Sequence, residues 1–342
     1  MQFQLPIHIK SPEKRISYKD KILLTGSCFT EHIGNSLGDL KFSVLQNPTG
    51  ILFDPESVCK SLVSYSENKQ FSLDDLFCLN EVWNSWDHHS RYSHINKDEC
   101  IRIINESQKR AHGFIKEADW IIITLGSAFS YRLTSESLKA FSKENPKITG
   151  NGVANCHRAP ANWFNKELLS IEKIITLLED CCSNLVQFNP KLKIIFTISP
   201  VRHVRDGVVE NNRSKARLLE AVHHVVSMSA NLSYFPAYEL VIDVLRDHRF
   251  YDVDLVHPNY MATEYVLEKF AESFIDDQSR NLMDEVRQIV IARKHKPFQP
   301  KTKAHKDFLL SHAERTSILK HKYPFLDLEE ELNYFSSASK TL

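Results

Sequence analysis

Ser27 and Cys28 follow Gly26 at the end of a short apolar run, and far along the chain Asp254 and His257 stand three residues apart, just before Pro258. These residue types suit nucleophilic catalysis: a thiolate or hydroxyl attacks, an imidazole takes the proton, and a carboxylate fixes the imidazole's orientation and tautomer. The i,i+3 spacing of Asp254 and His257 puts both side chains on one side of a turn. Cys28 is the first candidate nucleophile, because a helix N-terminus can lower a thiol pKa from roughly 8.5. Ser27 is the rival, as a nucleophile, a helix N-cap or a hydroxyl near the reacting centre. Asp-x-x-His is a weak signal alone. Its weight comes from its place at the far end of a chain whose first strand ends in a small nucleophile.

The elements that must position these residues are readable from apolar spacing. Ile22 to Leu24 reads as a buried parallel strand, Gly26 as a sharp turn, and Phe29, Ile33 and Leu37 as one face of a helix ending near Gly38. Gln46 to Gly50 is a turn, and Asp54-Pro55 starts a helix over about 55 to 65. A helix over Asp98 to Ala118 feeds a strand at Trp120 to Leu125, which stops at Gly126-Ser127-Ala128. Asn151 to Arg158 is a polar connection, a helix is predicted from about Asn165 to Cys182, and Lys193 to Thr197 is a strand stopping before Arg202-His203. Ser214 to Ser229 is helical, Leu240 to Leu245 is either strand or helix, and a helix runs through Ala262, Val266 and Phe270. Residues 1–20 read as an edge strand or extended lead-in, and Trp83 to Tyr92 as either a pocket wall or a packed loop. Alternating strands and helices predict a parallel sheet covered on both faces, with its ligand crevice at the carboxyl ends of the strands.

Composition narrows the function classes. The 342 residues are 42% hydrophobic and 25% charged, with a formal net charge of zero, so no global charge draws the chain to nucleic acid or an acidic membrane. The basic stretch Arg293 to Lys306 reads as solvated surface. Seven cysteines without a C-x-x-C pair argue against a disulfide framework or zinc ribbon, and no H-x-x-x-H or comparable ligand spacing supports a metal. No cofactor is expected. With neither a signal-peptide core nor an apolar stretch of ~18 residues, the expected location is cytoplasmic, without a membrane span. The oligomeric state is open.

The order of a glycine–small-nucleophile turn after the first strand and Asp-x-x-His near the end resembles the SGNH/GDSL hydrolase superfamily. More specifically, Gly26-Ser27-Cys28-Phe29-Thr30 resembles the signature of the GSCFA domain family, a bacterial relative. Asn155-Cys156-His157, Ser199-Pro200-Val201-Arg202-His203 and Tyr234-Phe235-Pro236 through His257-Pro258 are also similar to it, so the likeness spans roughly residues 3 to 275. The resemblance implies an α/β three-layer sandwich with a central parallel sheet, SGNH-hydrolase-like and flavodoxin-like, over residues 1–278. A helical C-terminal extension, 279–342, is expected to pack on it or be partly mobile. It also implies that Cys28 stands where the superfamily's serine attacks, with Ser27 second, and that Asp254 and His257 complete the arrangement. Gly50 is the nearest match to the second-block glycine whose N–H binds the oxyanion. In the third block, Gly-x-Asn, Gly126-Ser127-Ala128 puts alanine at the asparagine position. Losing such a donor costs about 10²–10³ in rate unless Ser127, Asn155 or another group substitutes. His157, Arg158, Arg202 and His203 are candidates for a substrate carboxylate or phosphate, or for structural hydrogen bonds. The implied activity is hydrolysis or transfer of an acyl group from a small-molecule or carbohydrate ester or thioester. The alternative is a binding module for an acylated or carbohydrate ligand.

Overall fold

The computed structural model describes residues 5–137 and 152–340, with side chains to residue 337; Asn151 of the polar connection lies outside the described residues. Five strands, β1 (Lys21–Gly26), β2 (Ser43–Gln46), β5 (Trp120–Leu125), β8 (Lys193–Ile198) and β9 (Leu232–Phe235), form one sheet in the order β2-β1-β5-β8-β9, all neighbours parallel. Counted along the chain this is the 2-1-3-4-5 order of flavodoxin-like folds. Two antiparallel ribbons, β3 (Leu76–Leu79) with β4 (Val82–Ser85) and β6 (Phe129–Leu133) with β7 (Phe164–Leu168), lie outside the sheet.

Strand alternation divides the core into two layers. Ile22, Leu24, Trp120, Ile122 and Ile195 point to one face, where they meet the helices Cys28–Asp39 and Tyr260–Phe274 through Phe29, Ile33, Leu37, Val266 and Phe270. Leu23, Ile121, Ile123, Ile194 and Phe196 point to the other, against the helices Pro55–Ser66, Lys97–Glu117, Ile171–Phe188 and Val208–Val226. A strand buried on both sides has no polar face to keep, which is why β1, β5 and β8 read as continuous apolar runs. The helices Asp277–Lys294, Lys303–Lys322 and Glu329–Lys340 join the first layer, with Leu282, Val286, Leu309, Leu319 and Phe335 in the same apolar cluster as Phe29 and Phe270. Part of the basic stretch is neutralised there: Arg293 pairs with Glu330, and Lys294 with Asp39 at 2.6 Å. Among the described residues no helix is long and apolar enough to cross a membrane.

Several expectations change. The helix placed from Asn165 begins at Ile171, capped by Ser170 Oγ accepting from Lys173 N at 3.2 Å; the preceding residues are drawn into β7 by pairing with β6. The helix placed from Ser214 begins at Val208, after Gly207 at a φ of 82°. Leu240–Val244 is a π-helical turn. Residues 5–20 form an extended lead-in with, among the described residues, one strand-like contact, the Ile16–Ile275 bridge.

The backbone approach at the end of β1 gives a sharp test. Gly26 has a φ of 134°, and a Cβ there would lie 2.1 Å from the Thr124 carbonyl oxygen, whereas Gly113 is helical and a Cβ added to it would meet nothing within 4 Å. Gly26→Ala is expected to lower the unfolding free energy by about 3 kcal/mol or more, and Gly113→Ala to raise it by about 0.5–1 kcal/mol. Urea unfolding of both variants checks the contrast.

Candidate active site

The strand-to-helix corner at Gly26 is held from three sides. Gly26 N donates to Asn47 Oδ1 (2.9 Å), Ser27 N donates to Thr124 O (3.1 Å), and Leu52 N donates to Gly26 O (2.9 Å). The helix then starts at Cys28 with Ser27 in the N-cap position, where the Ser27 side chain makes no capping hydrogen bond. Ser27 is 1% exposed and among the described residues its Oγ has no hydrogen-bond partner, while Cys28 is partly exposed and lines a cavity. Burial raises the Cys28 thiol above its ordinary range. The Phe29 and Cys28 amides at the open helix end and the Lys215 ammonium pull it down, and Glu31 pushes it up.

Asp254 and His257 sit in a tight loop between Tyr251 and Pro258, which pair across its neck. Asp252 N donates to His257 O at 2.8 Å, and Leu255 takes a left-handed φ of 57° to close the turn. Asp254 Oδ1 accepts from the amides of Val256 (2.9 Å) and His257 (3.0 Å), and Oδ2 lies 2.6 Å from His257 Nδ1. These bonds, the His257 amide foremost, hold the Asp254 carboxyl down to about 2. An acceptor-only carboxylate requires the proton on Nδ1, so the neutral ring presents Nε2 as a base. Asn259 anchors the following helix, accepting from Ala262 N at 3.2 Å and donating to Arg249 O at 2.7 Å.

Cys28, Asp254 and His257 line one cavity of about 670 Å³ at the carboxyl ends of β1, β5 and β8. Ser127, Asn155, Arg202 and His203 line it too. Asn155 Oδ1 accepts from His157 N (2.8 Å), and among the described residues its Nδ2 has no partner. Arg202 lies 5.9 Å from the Tyr251 ring centre. His203 meets Phe53 edge-on, 5.3 Å between centres, and burial depresses it to about 4, so it is neutral.

Other predicted site residues lie elsewhere or are committed. The Gly50 amide donates to Asn47 O at 2.8 Å, and a Cβ on Gly50 would strike His89 Cβ at 2.1 Å. Gly50 therefore closes its own turn and has no N–H to give an oxyanion. The Gly126 and Ser127 amides both donate to Phe53 O, at 2.8 and 3.0 Å, and Ser127 Oγ accepts from Phe129 N at 3.0 Å. His157 lies outside the cavity lining, with Nε2 2.8 Å from Ser85 O and the ring against Trp86; burial lowers it to about 4. None of Trp83 to Tyr92 lines this cavity. Among the residues not singled out from the sequence for this site are two lining side chains and a buried lysine. Lys215 lies beneath it, and Asp54 and Cys156 line it. Lys215 had a readable signal, since it falls on the apolar stripe of its helix with Leu218 and Val222.

The GSCFA family model matches residues 21–270, and the model of the GSCFA domain protein C-terminal domain matches residues 286–341. The chain belongs to the GSCFA family. No curated protein matches the sequence. Among solved structures it is similar to a carbohydrate esterase family 3 protein from Talaromyces cellulolyticus, at 9% identity and a TM-score of 0.33, covering 79% of this chain and 99% of that one. It is also similar to the acetyl xylan esterase Est2A from the rumen bacterium Butyrivibrio proteoclasticus, at 13% identity and a TM-score of 0.31, covering 76% of this chain and 64% of that one.

Asp54 caps the helix Pro55–Ser66 through Ser57 N (3.1 Å), yet burial raises its carboxyl to about 6. A carboxyl whose folded pKa exceeds its unfolded value stabilises the fold at low pH and loses that contribution as pH rises through about 6. Asparagine caps equally well without the charge. Asp54→Asn is therefore expected to gain about 1–3 kcal/mol at pH 7, fading as pH falls toward 4, read from denaturant unfolding at several pH values.

Proposed function

We propose that the protein hydrolyses or transfers the acyl group of an ester or thioester, with Cys28 attacking, His257 as general base and acid, and Asp254 orienting His257. The observation that carries this reading is that Cys28 and the hydrogen-bonded Asp254–His257 pair line a single cavity. Its volume of about 670 Å³ suits a small-molecule or sugar-sized ester.

In this reading His257 Nε2 takes the Cys28 proton as Sγ bonds to the carbonyl carbon and the carbonyl π pair moves to oxygen. The raised thiol pKa makes that base necessary, because little thiolate exists beforehand. The oxyanion meets the free amide at the start of the helix and Asn155 Nδ2, which replaces the donor that Ala128 cannot provide. The tetrahedral adduct then collapses: the bond to the leaving oxygen or sulfur breaks, and His257 returns the proton to it. Water or an acceptor hydroxyl, deprotonated by His257, next attacks the thioester and frees Cys28, whose sulfur regains the proton. Ser27 is the weaker nucleophile candidate because its hydroxyl is buried and outside the cavity lining. The second reading, a binding module with weakened catalysis, is favoured by the fully buried Ala128 at the third-block position.

Intact-mass analysis after brief exposure to an activated ester, with peptide mapping, separates the two. An acyl adduct on Cys28 is expected, absent in Cys28→Ala and formed about 10²–10⁴-fold more slowly in His257→Gln. A Cys28→Ala protein that still turns over the ester sinks the assignment. No adduct on a folded wild-type protein favours the binding module.

A further inference from the structure

Lys215 is 1% exposed, and among the described residues no carboxylate pairs with it. Its Nζ donates to Gly126 O at 2.6 Å and Ser199 O at 2.7 Å, the carbonyls just beyond the ends of β5 and β8. Two of the three ammonium protons are thereby used. Gly126 itself touches the nucleophile corner: a Cβ on it would lie 3.4 Å from Ser27 Cβ and 3.4 Å from His203 Nε2. The ammonium is thus anchored beneath the Ser27–Cys28 turn, on the side away from solvent. Burying a cation without a counter-charge is costly, and an apolar side chain of similar length would fill the same space in the helix face. In the proton transfers between Cys28 and His257, Lys215 neither gives nor takes a proton.

We propose that Lys215 is a positioning residue whose ammonium, tethered by the Gly126 and Ser199 carbonyls, meets the negative charge that forms on Cys28; this rests on the reading of Cys28 as the attacking group. The electrostatics are reciprocal. Burial depresses Lys215 to about 7, Cys28 is the charge that raises it, and Lys215 in turn lowers Cys28. The other charged or titratable groups felt there are Glu31, which raises the Cys28 thiol from its own helix, and the neutral His203, which itself senses Lys215, Asp206, Lys166 and His257. Asp206 is taken up by its ion pair with Lys166, leaving Lys215 as the buried cation for the thiolate.

The test is the rate of Cys28 alkylation by iodoacetamide in the full chain, read by peptide mapping, for wild type, Lys215→Met and Lys215→Arg, below and above the pH of about 7 at which Lys215 loses its charge. Lys215→Met is expected to slow alkylation about tenfold on the acid side, where the wild-type lysine is charged, with the difference fading on the alkaline side, and Lys215→Arg to keep most of the acid-side rate. A folded Lys215→Met protein with the wild-type acid-side rate overturns the proposal. Should that variant not fold, ¹⁵Nζ NMR of Lys215 in wild type and Cys28→Asp decides: a fixed negative charge at position 28 raises its midpoint, and an unchanged midpoint overturns the proposal equally. Neither readout uses an ester. A missing acyl adduct therefore sinks the hydrolase reading without moving these readouts, and unchanged readouts sink the Lys215 role without touching the adduct.

Discussion

The arrangement depends on one close approach, that of the Gly26 backbone to the carbonyl of Thr124 at the carboxyl end of the sheet. A side chain at position 26 would push β1 off β5, and with it the hydrogen bond from Ser27 to Thr124. The same corner collects Asn47 from the turn after β2 and Leu52 from the segment before the next helix, so three stretches remote in sequence are registered against one dipeptide. Side-chain direction then follows. With Ser27 in extended geometry and Cys28 opening the helix, the first turns inward beneath β5 and the second faces the cavity. Which of two adjacent nucleophile types meets solvent is decided by the geometry of the turn and not by their chemistry.

How much was legible follows from what burial does to a sequence. β1, β5 and β8 are covered on both faces and announce themselves as apolar runs, and their alternation with helices implies a parallel sheet, whereas the flavodoxin-like architecture was implied only by the family resemblance. The edge strands β2, Ser-Val-Leu-Gln, and β9, Leu-Ser-Tyr-Phe, are short and mixed, because an edge strand lacks a neighbour on one side and carries less of the core. β7 was hidden for another reason. Phe-Asn-Lys-Glu-Leu has no intrinsic strand signal, and its conformation is imposed by pairing with β6 across a long sequence gap.

The site shows the same division between local and non-local information. The Asp254–His257 contact is a property of three consecutive steps of chain and could be inferred from spacing alone. The Gly50 expectation failed because a glycine near the right place is also the commonest solution to a turn, and here the turn consumes its amide. The role available to Asn155 depends on which of its polar atoms the loop already uses, with Oδ1 spent on the His157 amide and Nδ2 left over. Lys215 lay in plain view as a charge on an apolar helical stripe. Without the strand ends in place, however, nothing distinguished it from a lysine whose stem covers the core while its head reaches water.

These placements impose an asymmetry on any chemistry in the cavity. His257 and Asp254 sit at its exposed rim, with 44% and 48% of their side-chain surfaces accessible, so an imidazolium formed there is solvated as well as paired. Cys28 sits deeper, where partial burial works against a thiolate. Moving one proton from sulfur to imidazole therefore costs little at its destination and much at its origin. On the proposed reading the positive potential lies where it is needed: the open amides of the helix Cys28–Asp39 and the Lys215 side chain, when charged, are both on the sulfur side. A barrier dominated by creating the anion is lowered most by charge that is already oriented before the proton moves, because such charge needs no rearrangement as the anion forms.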